Sequence, residues 1–304
     1  MSAQHFDVIV IGQGIAGLTA ARQARQQGAS VACIEEQMFG GLVININELD
    51  GSIEGSGTDL ASNLMLEASE AGVTMLSECV TGIDTADGRL IVSTDQGSHN
   101  AAAVIVASGA KLRKLGVPGE AEFEYRGVAS CADCDGPMYQ GADVVVVGGG
   151  DSALQEALVL AQFCRQVHLV HHGKELTAHK QLIAAVRANQ KIVEVSPFEV
   201  TAIRGDKGVE HVDLVNCNDR STSEIACSGI FAYIGLEPTS GFAPEAVRDA
   251  DSGLIVVDAS LQTAMPGLYA AGAVRAGYGG MLEHAMADGE AAARAAVAHA
   301  LSKG

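Results

Sequence analysis

The sequence predicts an α/β fold of two lobes, one inserted into the other, and three observations carry that prediction. The 304-residue chain holds two copies of one strand, glycine-turn and helix pattern at a constant offset of 136. Its apolar residues are mainly Ala, Val, Ile and Leu, with no tryptophan and 4% aromatics, as suits parallel strands buried beneath helices. Its 36 glycines make up about 12% of the chain against an average near 7%. The length matches about two domains and a sizeable core.

The first copy runs Phe6-Asp-Val-Ile-Val-Ile-Gly12-Gln-Gly14-Ile-Ala16-Gly17 and the second Ala142-Asp-Val-Val-Val-Val-Gly148-Gly-Gly150-Asp151-Ser152-Ala153. Each leads into an Ala/Leu-rich helix, expected over 18–27 and 154–163. Glycine permits the tight turn and close approach of a pyrophosphate, which sits on a helix N-terminus where free N–H groups favour anions. Two copies in this context predict two Rossmann-like dinucleotide-binding domains, the second inserted into the first. After the first helix, a strand over 30–34 ends at Glu35, 23 residues past Gly12, where a carboxylate would bind ribose hydroxyls. The matching position of the second copy is His171, so that carboxylate is missing there.

The remaining elements follow in order. A helix is expected over 58–71 with Thr58 as N-cap, short hairpin strands over 76–94, and a buried strand over 101–107 reaching Ser108-Gly109-Ala110. After the second copy come a helix over 179–189 and strands around Val200, Val212 and Ile225. The run Gly229 to Pro238 turns back, Leu268-Tyr-Ala-Ala-Gly272 is a short buried strand, and 281–301 is a long alanine-rich helix. Proline and glycine cluster at 116–119 and 238–244, the expected linkers.

With 37 acidic and 19 basic residues the formal charge is −18, which opposes a phosphate backbone and excludes nucleic acid as a partner. No basic n-region precedes Val8-Ile-Val-Ile11, and no stretch approaches the length of a membrane span, so a cytoplasmic location is expected. Five cysteines, 33, 79, 164, 217 and 227, are scattered and expected as buried reduced thiols. Cys131-Ala-Asp-Cys134 has a meaningful spacing: CxxC serves redox chemistry or half a zinc site, and no second CxxC or CxxH completes a tetrahedron. No metal is expected. A cysteine pair at this spacing exchanges two electrons as a unit: its disulfide takes them up by opening to the dithiol, and the dithiol returns them by closing the disulfide.

The chain resembles the low-molecular-weight thioredoxin reductase family of flavoproteins over nearly its whole length. The resemblance rests on Gly12 to Gly17, Gly40-Gly41, Ala107-Ser108-Gly109-Ala110, Cys131-Ala-Asp-Cys134-Asp135-Gly136, Gly148 to Ala153 with Glu156, and Thr263 to Gly272, in the family's order. It implies an FAD-binding domain from residues 1–114 and 240–304, a pyridine-nucleotide-type domain over 115–239 carrying the CxxC, and a homodimer. It also implies that FAD is bound by Gly12, Gly14, Ala16, Gly17, Glu35, Glu36, Gly40, Gly41, Leu42, Ala107, Ser108, Gly109, Gly272, Ala273, His284 and Ala285. Gly148, Gly150, Asp151 and Ser152 would face a pyridine nucleotide. Cys134 would face the flavin, Cys131 would exchange with an external disulfide, and Asp135 would move the proton.

Four places depart from the family. Relatives carry HRR and a further arginine to grip the 2′-phosphate of NADPH, whereas here stand His171-His-Gly-Lys-Glu-Leu-Thr177. Lys174 is a point charge without bidentate geometry. These residues carry neither a strong NADPH nor a strong NADH signature. The AGD of relatives is Ala271-Gly272-Ala273, deleting a carboxylate; Leu42 replaces a glutamine and the segment through Gly51 is shortened. Glu283-His284-Ala285 replaces an Arg-Gln-Ala run, which makes His284 a candidate base. The function read from the sequence is an FAD-dependent thiol-disulfide oxidoreductase acting on a thioredoxin-like protein or a small dithiol or disulfide. A dithiol oxidase or a ferredoxin- or flavin-fed reductase is the alternative; a flavin-bearing electron-transfer or sensor subunit is the second.

Overall fold

The structure is a computed structural model and describes residues 4–46, 49 and 55–303. Gly51, the end of the segment read as shortened, lies outside the described residues. The chain forms two compact units: residues up to Lys111 with those from Glu237 onward, and Leu112–Leu236 between them.

In the first unit, seven strands among the described residues form one sheet. Thr74–Ser77, Val31–Glu35, Gln4–Ile11 and Gly97–Val106 lie side by side and parallel. Val8, Ile9, Val10 and the run Ala101 to Val106 are buried, which is why these segments read as unbroken apolar runs. Gly97–Val106 is long enough for two partners on its other edge. Its first half pairs antiparallel with Arg89–Thr94, and its end pairs in parallel with Leu268–Ala270. Gly97–Val106 therefore separates the first strand from Leu268–Ala270, and the three end together: Ala107 N–H donates to Ile11 O and Ala271 N–H to Val106 O.

Several elements differ from expectation. The segment over 76–94 is not all hairpin: Thr74–Ser77 extends the parallel edge, and the hairpin is Val80–Ala86 with Arg89–Thr94. Its two-residue turn is Asp87-Gly88, both at positive φ (51° and 75°), the chemistry such a turn demands. The helix expected from Thr58 spans Gly57–Glu70 and is capped by Ser56, not Thr58. The Ser56 hydroxyl accepts from Asp59 N–H at 3.0 Å while the Asp59 carboxylate accepts from Ser56 N–H at 3.2 Å, a reciprocal capping box. Thr58, inside the helix, donates to Ile44 O. The two helices after the glycine turns begin three residues earlier than expected, as Ile15–Gln26 and Asp151–Phe163, with Gly14 and Gly150 as N-caps.

In the second unit, Ile192–Val195, Gln166–Val170, Asp143–Val147, Gly229–Ala232 and Val128–Ala129 form a parallel sheet in that order. Phe198–Gly205, Val209–Asn216 and Thr222–Ala226 form an antiparallel one. Asp151–Phe163 packs Ala153, Leu154, Ala157, Leu160 and Ala161 into the core. The helix expected over 179–189 is Lys180–Ala188, and the last helix of the chain is Leu282–Lys303.

Candidate active site

In an open α/β sheet, ligands collect at the carboxyl ends of the strands, and the first unit has a cleft there. Gly14, Ala16, Glu35, Gly40, Gly41, Leu42, Ala107, Ser108, Gly109, Gly272, Ala273 and Ala285 line it, as do Ala271, Tyr278 and Leu282. The three turn glycines play different parts. A Cβ on Gly12, at φ +105°, would lie 2.4 Å from Ala107 O, and one on Gly17 would lie 1.9 Å from Gly12 O. Both are therefore demanded by contact within the protein. A Cβ on Gly14 would meet nothing nearer than Gly40 O at 3.9 Å, so its bareness faces the cleft.

No side chain caps the helix Ile15–Gln26, and no acidic residue occupies its first turn, so its amide end suits an anion. The Glu35 carboxylate accepts from Gln13 N–H at 3.0 Å on one oxygen and from Glu36 and Gln37 N–H on the other. It thus orders the glycine turn and still borders the cleft, with lone-pair capacity left for a hydroxyl. Uncapped helix end, bare Gly14 and Glu35 together fit the adenine dinucleotide FAD. Ser108 donates to Thr239 O at 2.6 Å, fixing the neighbouring loop. Glu36 and His284 are exposed and do not line the cleft; the His284 ring lies against Gly279, where a Cβ would be 2.2 Å from Nδ1.

Sequence reasoning named neither Asp288 nor Arg275. Asp288 is 8% exposed, accepts from Gly272 N–H at 3.0 Å and holds the Arg275 guanidinium by two bonds of 2.7 Å. Its only sequence signal is a carboxylate on the inner side of an otherwise alanine-rich helix.

In the second unit Cys131 and Cys134 form a disulfide with their Cα atoms 5.3 Å apart. The geometry follows from the short helix Ala132–Asp135: Cys131 is its N-cap and Cys134 lies within its single turn. The Cys134 N–H points at Cys131 Sγ at 3.2 Å. Cys131 is buried and Cys134 exposed. Neighbouring chain segments fix this loop on both sides of Cys131. Glu156, on the helix after the second glycine turn, accepts from Ala132 N–H at 3.2 Å, and Tyr233 donates to Ser130 O at 3.2 Å. Burial pushes the Glu156 carboxyl up, and burial with the adjacent Glu156 pushes the Tyr233 phenol up.

Gly148, Gly150, Asp151 and Ser152 form the second turn and the start of its helix. Asp151 accepts from His179 N–H at 2.7 Å, which holds its carboxyl below the usual range. His171 is buried with Nε2 3.2 Å from Glu194, while His172, Lys174 and Thr177 are exposed. The neighbouring Arg187 is engaged by Glu194 at 3.3 Å and Glu175 at 3.8 Å. Of the five scattered cysteines, 33, 164 and 227 are buried, and burial raises their thiols, to about 11 for Cys164 and about 12 for Cys227. Cys79 and Cys217 are half-buried rather than buried: Cys79 lies just before the hairpin's outer strand and Cys217 in the loop after Val209–Asn216, beyond the packed strands.

Two glycine-turn sheet units and a vicinal disulfide define a dinucleotide-dependent disulfide oxidoreductase. Residues 6–300 match the family model for pyridine nucleotide-disulphide oxidoreductases, and the chain belongs to that family. It is 37% identical to the thioredoxin reductase of Treponema pallidum (strain Nichols) over 298 residues, 97% of each chain. Among solved structures it is similar to Lactococcus lactis thioredoxin reductase in the FR conformation, with a TM-score of 0.91 and 31% identity, over 98% of this chain and 99% of that one. The thioredoxin reductase of T. acidophilum gives a TM-score of 0.88 and 28% identity, over 98% and 99% of the two chains. The chain is an FAD-dependent disulfide oxidoreductase of thioredoxin reductase type.

Proposed function

We propose that this protein passes electrons between a reductant, FAD in the first unit's cleft, the Cys131–Cys134 pair and an external disulfide, with a thioredoxin-like protein or a small disulfide as partner. The observation that carries the reading is the disulfide set at a helix start. Bound FAD supplies the two-electron chemistry that restores the dithiol. With the pair reduced, the Cys134 N–H is placed to donate to the Cys131 sulfur, against the like charge of Asp133 and Asp135 in the same turn. The Cys131 thiolate attacks one sulfur of the external disulfide, and the other departs as a thiolate. Cys134 then attacks Cys131, releasing the second thiol and re-forming the internal bond. Asp135, in the same turn, carries the proton, and Cys134 is the sulfur assigned to the flavin side.

In this proposal the unit up to Lys111 and from Glu237 is the FAD-binding domain, and Leu112–Leu236 is the nucleotide-type domain. A homodimer and a cytoplasmic location belong to the same reading. Among the described residues no helix is long and apolar enough to cross a membrane.

Anaerobic dithionite titration tests the reading. The wild type takes up about four electrons per FAD and Cys134→Ser about two, since a live disulfide adds one electron pair to the flavin's. About two electrons per FAD in both proteins would refute it. The donor has a second reading, favoured by the lack of arginine across 171–177 and by the engagement of Arg187. Nothing there grips a 2′-phosphate in bidentate fashion, which favours a dithiol or a ferredoxin or flavin carrier over NADPH. Anaerobic mixing with NADPH, NADH and a dithiol in turn decides it. Rapid bleaching by NADPH overturns the second reading.

A further inference from the structure

The turn Gly272–Val274 borders the cleft with Ala271, Gly272 and Ala273, and its own sequence supplies no carboxylate there. A carboxylate reaches it from elsewhere. Asp288 lies two turns into the last helix, and its Oδ2 accepts both Gly272 N–H at 3.0 Å and Arg275 Nε at 2.7 Å. Oδ1 accepts Arg275 Nη2 at 2.7 Å, and the third guanidinium nitrogen donates to Ala276 O at 2.9 Å. The pair is therefore bidentate, mostly buried, and tied to the backbone at both ends of the turn, an arrangement that fixes geometry as well as charge.

Neighbouring residues put Asp288 in place. Gly289 lets the last helix approach the first so closely that a Cβ there would lie 2.4 Å from Ala16 O. Gly272 is at φ +74°, and a Cβ on it would lie 2.9 Å from the Ala16 methyl. Helix, turn and cleft wall thus meet at Ala16, itself a lining residue. The Asp288 charge also acts at the cleft: after burial, it is the next cause that raises the phenol of Tyr278, another lining residue.

We propose that Asp288, clamped by Arg275, is a positioning residue for FAD, holding the Gly272–Val274 turn in its receiving shape and balancing the Arg275 charge beside the cleft. The proposal rests on reading the cleft as the FAD site. Its net effect on the cofactor is electrostatic as well as steric, because removing the carboxylate leaves the Arg275 cation beside the cleft without its counter-charge.

The test uses the full chain stripped of cofactor and titrated with FAD, with flavin midpoint potential measured on the reloaded protein. Asp288→Ala is expected to weaken FAD binding about tenfold or more. The unbalanced cation favours the reduced, more negative flavin about tenfold over the oxidised, which raises the two-electron potential by about 30 mV. Asp288→Asn keeps an acceptor for Gly272 N–H and judges the proposal if the alanine variant does not fold; it loses less affinity and shows the same upward potential. Unchanged affinity and potential in the asparagine variant overturn the proposal. So does a weaker affinity with no movement of the potential, the signature of a merely structural role. Wild-type protein that binds no FAD would instead defeat the reading of the cleft, a distinct failure.

Discussion

Gly17→Ala and Gly14→Ala separate a glycine required by the fold from one required by the ligand, although both stand in the same turn. A methyl at 17 would sit 1.9 Å from Gly12 O. An ordinary carbon–oxygen contact begins at about 3.3 Å, so strand and helix must part by about 1.4 Å. The last helix also packs tightly on this helix, since a Cβ on Gly289 would lie 2.4 Å from Ala16 O, which limits how far it can shift. Backbone against backbone offers no rotamer escape, so the cost falls at the upper end of overpacking penalties, about 3 kcal/mol. At roughly 2–4 °C per kcal/mol, the cofactor-free protein should melt about 6–12 °C lower. A methyl at 14 meets nothing within 3.9 Å, and its backbone is extended at φ −77° and ψ −175°, open to alanine. Apoprotein stability should then fall by less than about 1 kcal/mol, the loss of a glycine cap. FAD affinity should fall by about 5–150-fold, the equivalent of about 1–3 kcal/mol of intrusion into the cleft. Thermal melts of the apoprotein with FAD titration by fluorescence read both. A Gly17→Ala apoprotein that melts with the wild type, or a Gly14→Ala protein of unaltered FAD affinity, would refute the division of roles.

Two further outcomes follow from local chemistry. Burial raises the Glu156 carboxyl in the folded protein, so its contribution to stability is full below the unfolded carboxyl range and is lost as pH rises through the raised folded value. Glu156→Gln keeps an acceptor for Ala132 N–H, so its melting temperature should exceed the wild type's near pH 8 and converge on it near pH 4; a constant offset would contradict the assignment. Ser56→Ala should cost about 1 kcal/mol by removing the N-cap, and Thr58→Ala less, since Thr58 makes one exposed bond to Ile44 O. Urea melts of the two variants rank the caps, and a larger loss at 58 would restore the cap expected from sequence.

The strand, glycine-turn and helix copies were legible because strand burial, turn geometry and helix start are all local demands on residue type. The CxxC was legible for the same reason: two intervening residues bring Cys131 and Cys134 within one turn. The cap was misplaced by two residues because Ser56 and Thr58 are both good cap types, and only the partner Asp59 distinguishes them. Glu35 was legible as an acid at a strand end, but its bonds to Gln13, Glu36 and Gln37 amides were not. Cys79 and Cys217 show the converse, since apolar neighbours in sequence do not set depth in the fold.

By itself the sequence determined the α/β class, the two glycine turns, the acid after the second strand and the vicinal cysteines, because each depends on neighbours within a few tens of residues. Only the tertiary structure decided which glycine serves the fold and which the cleft, since both satisfy one motif and differ only in what a Cβ would meet. It alone decided that Asp288 clasps Arg275 and Gly272, 13 and 16 positions away, from a helix whose pattern reads as plain alanine. Such a carboxylate is placed by the close approach of the last helix to the first, and packing between helices is not written in the spacing of either one.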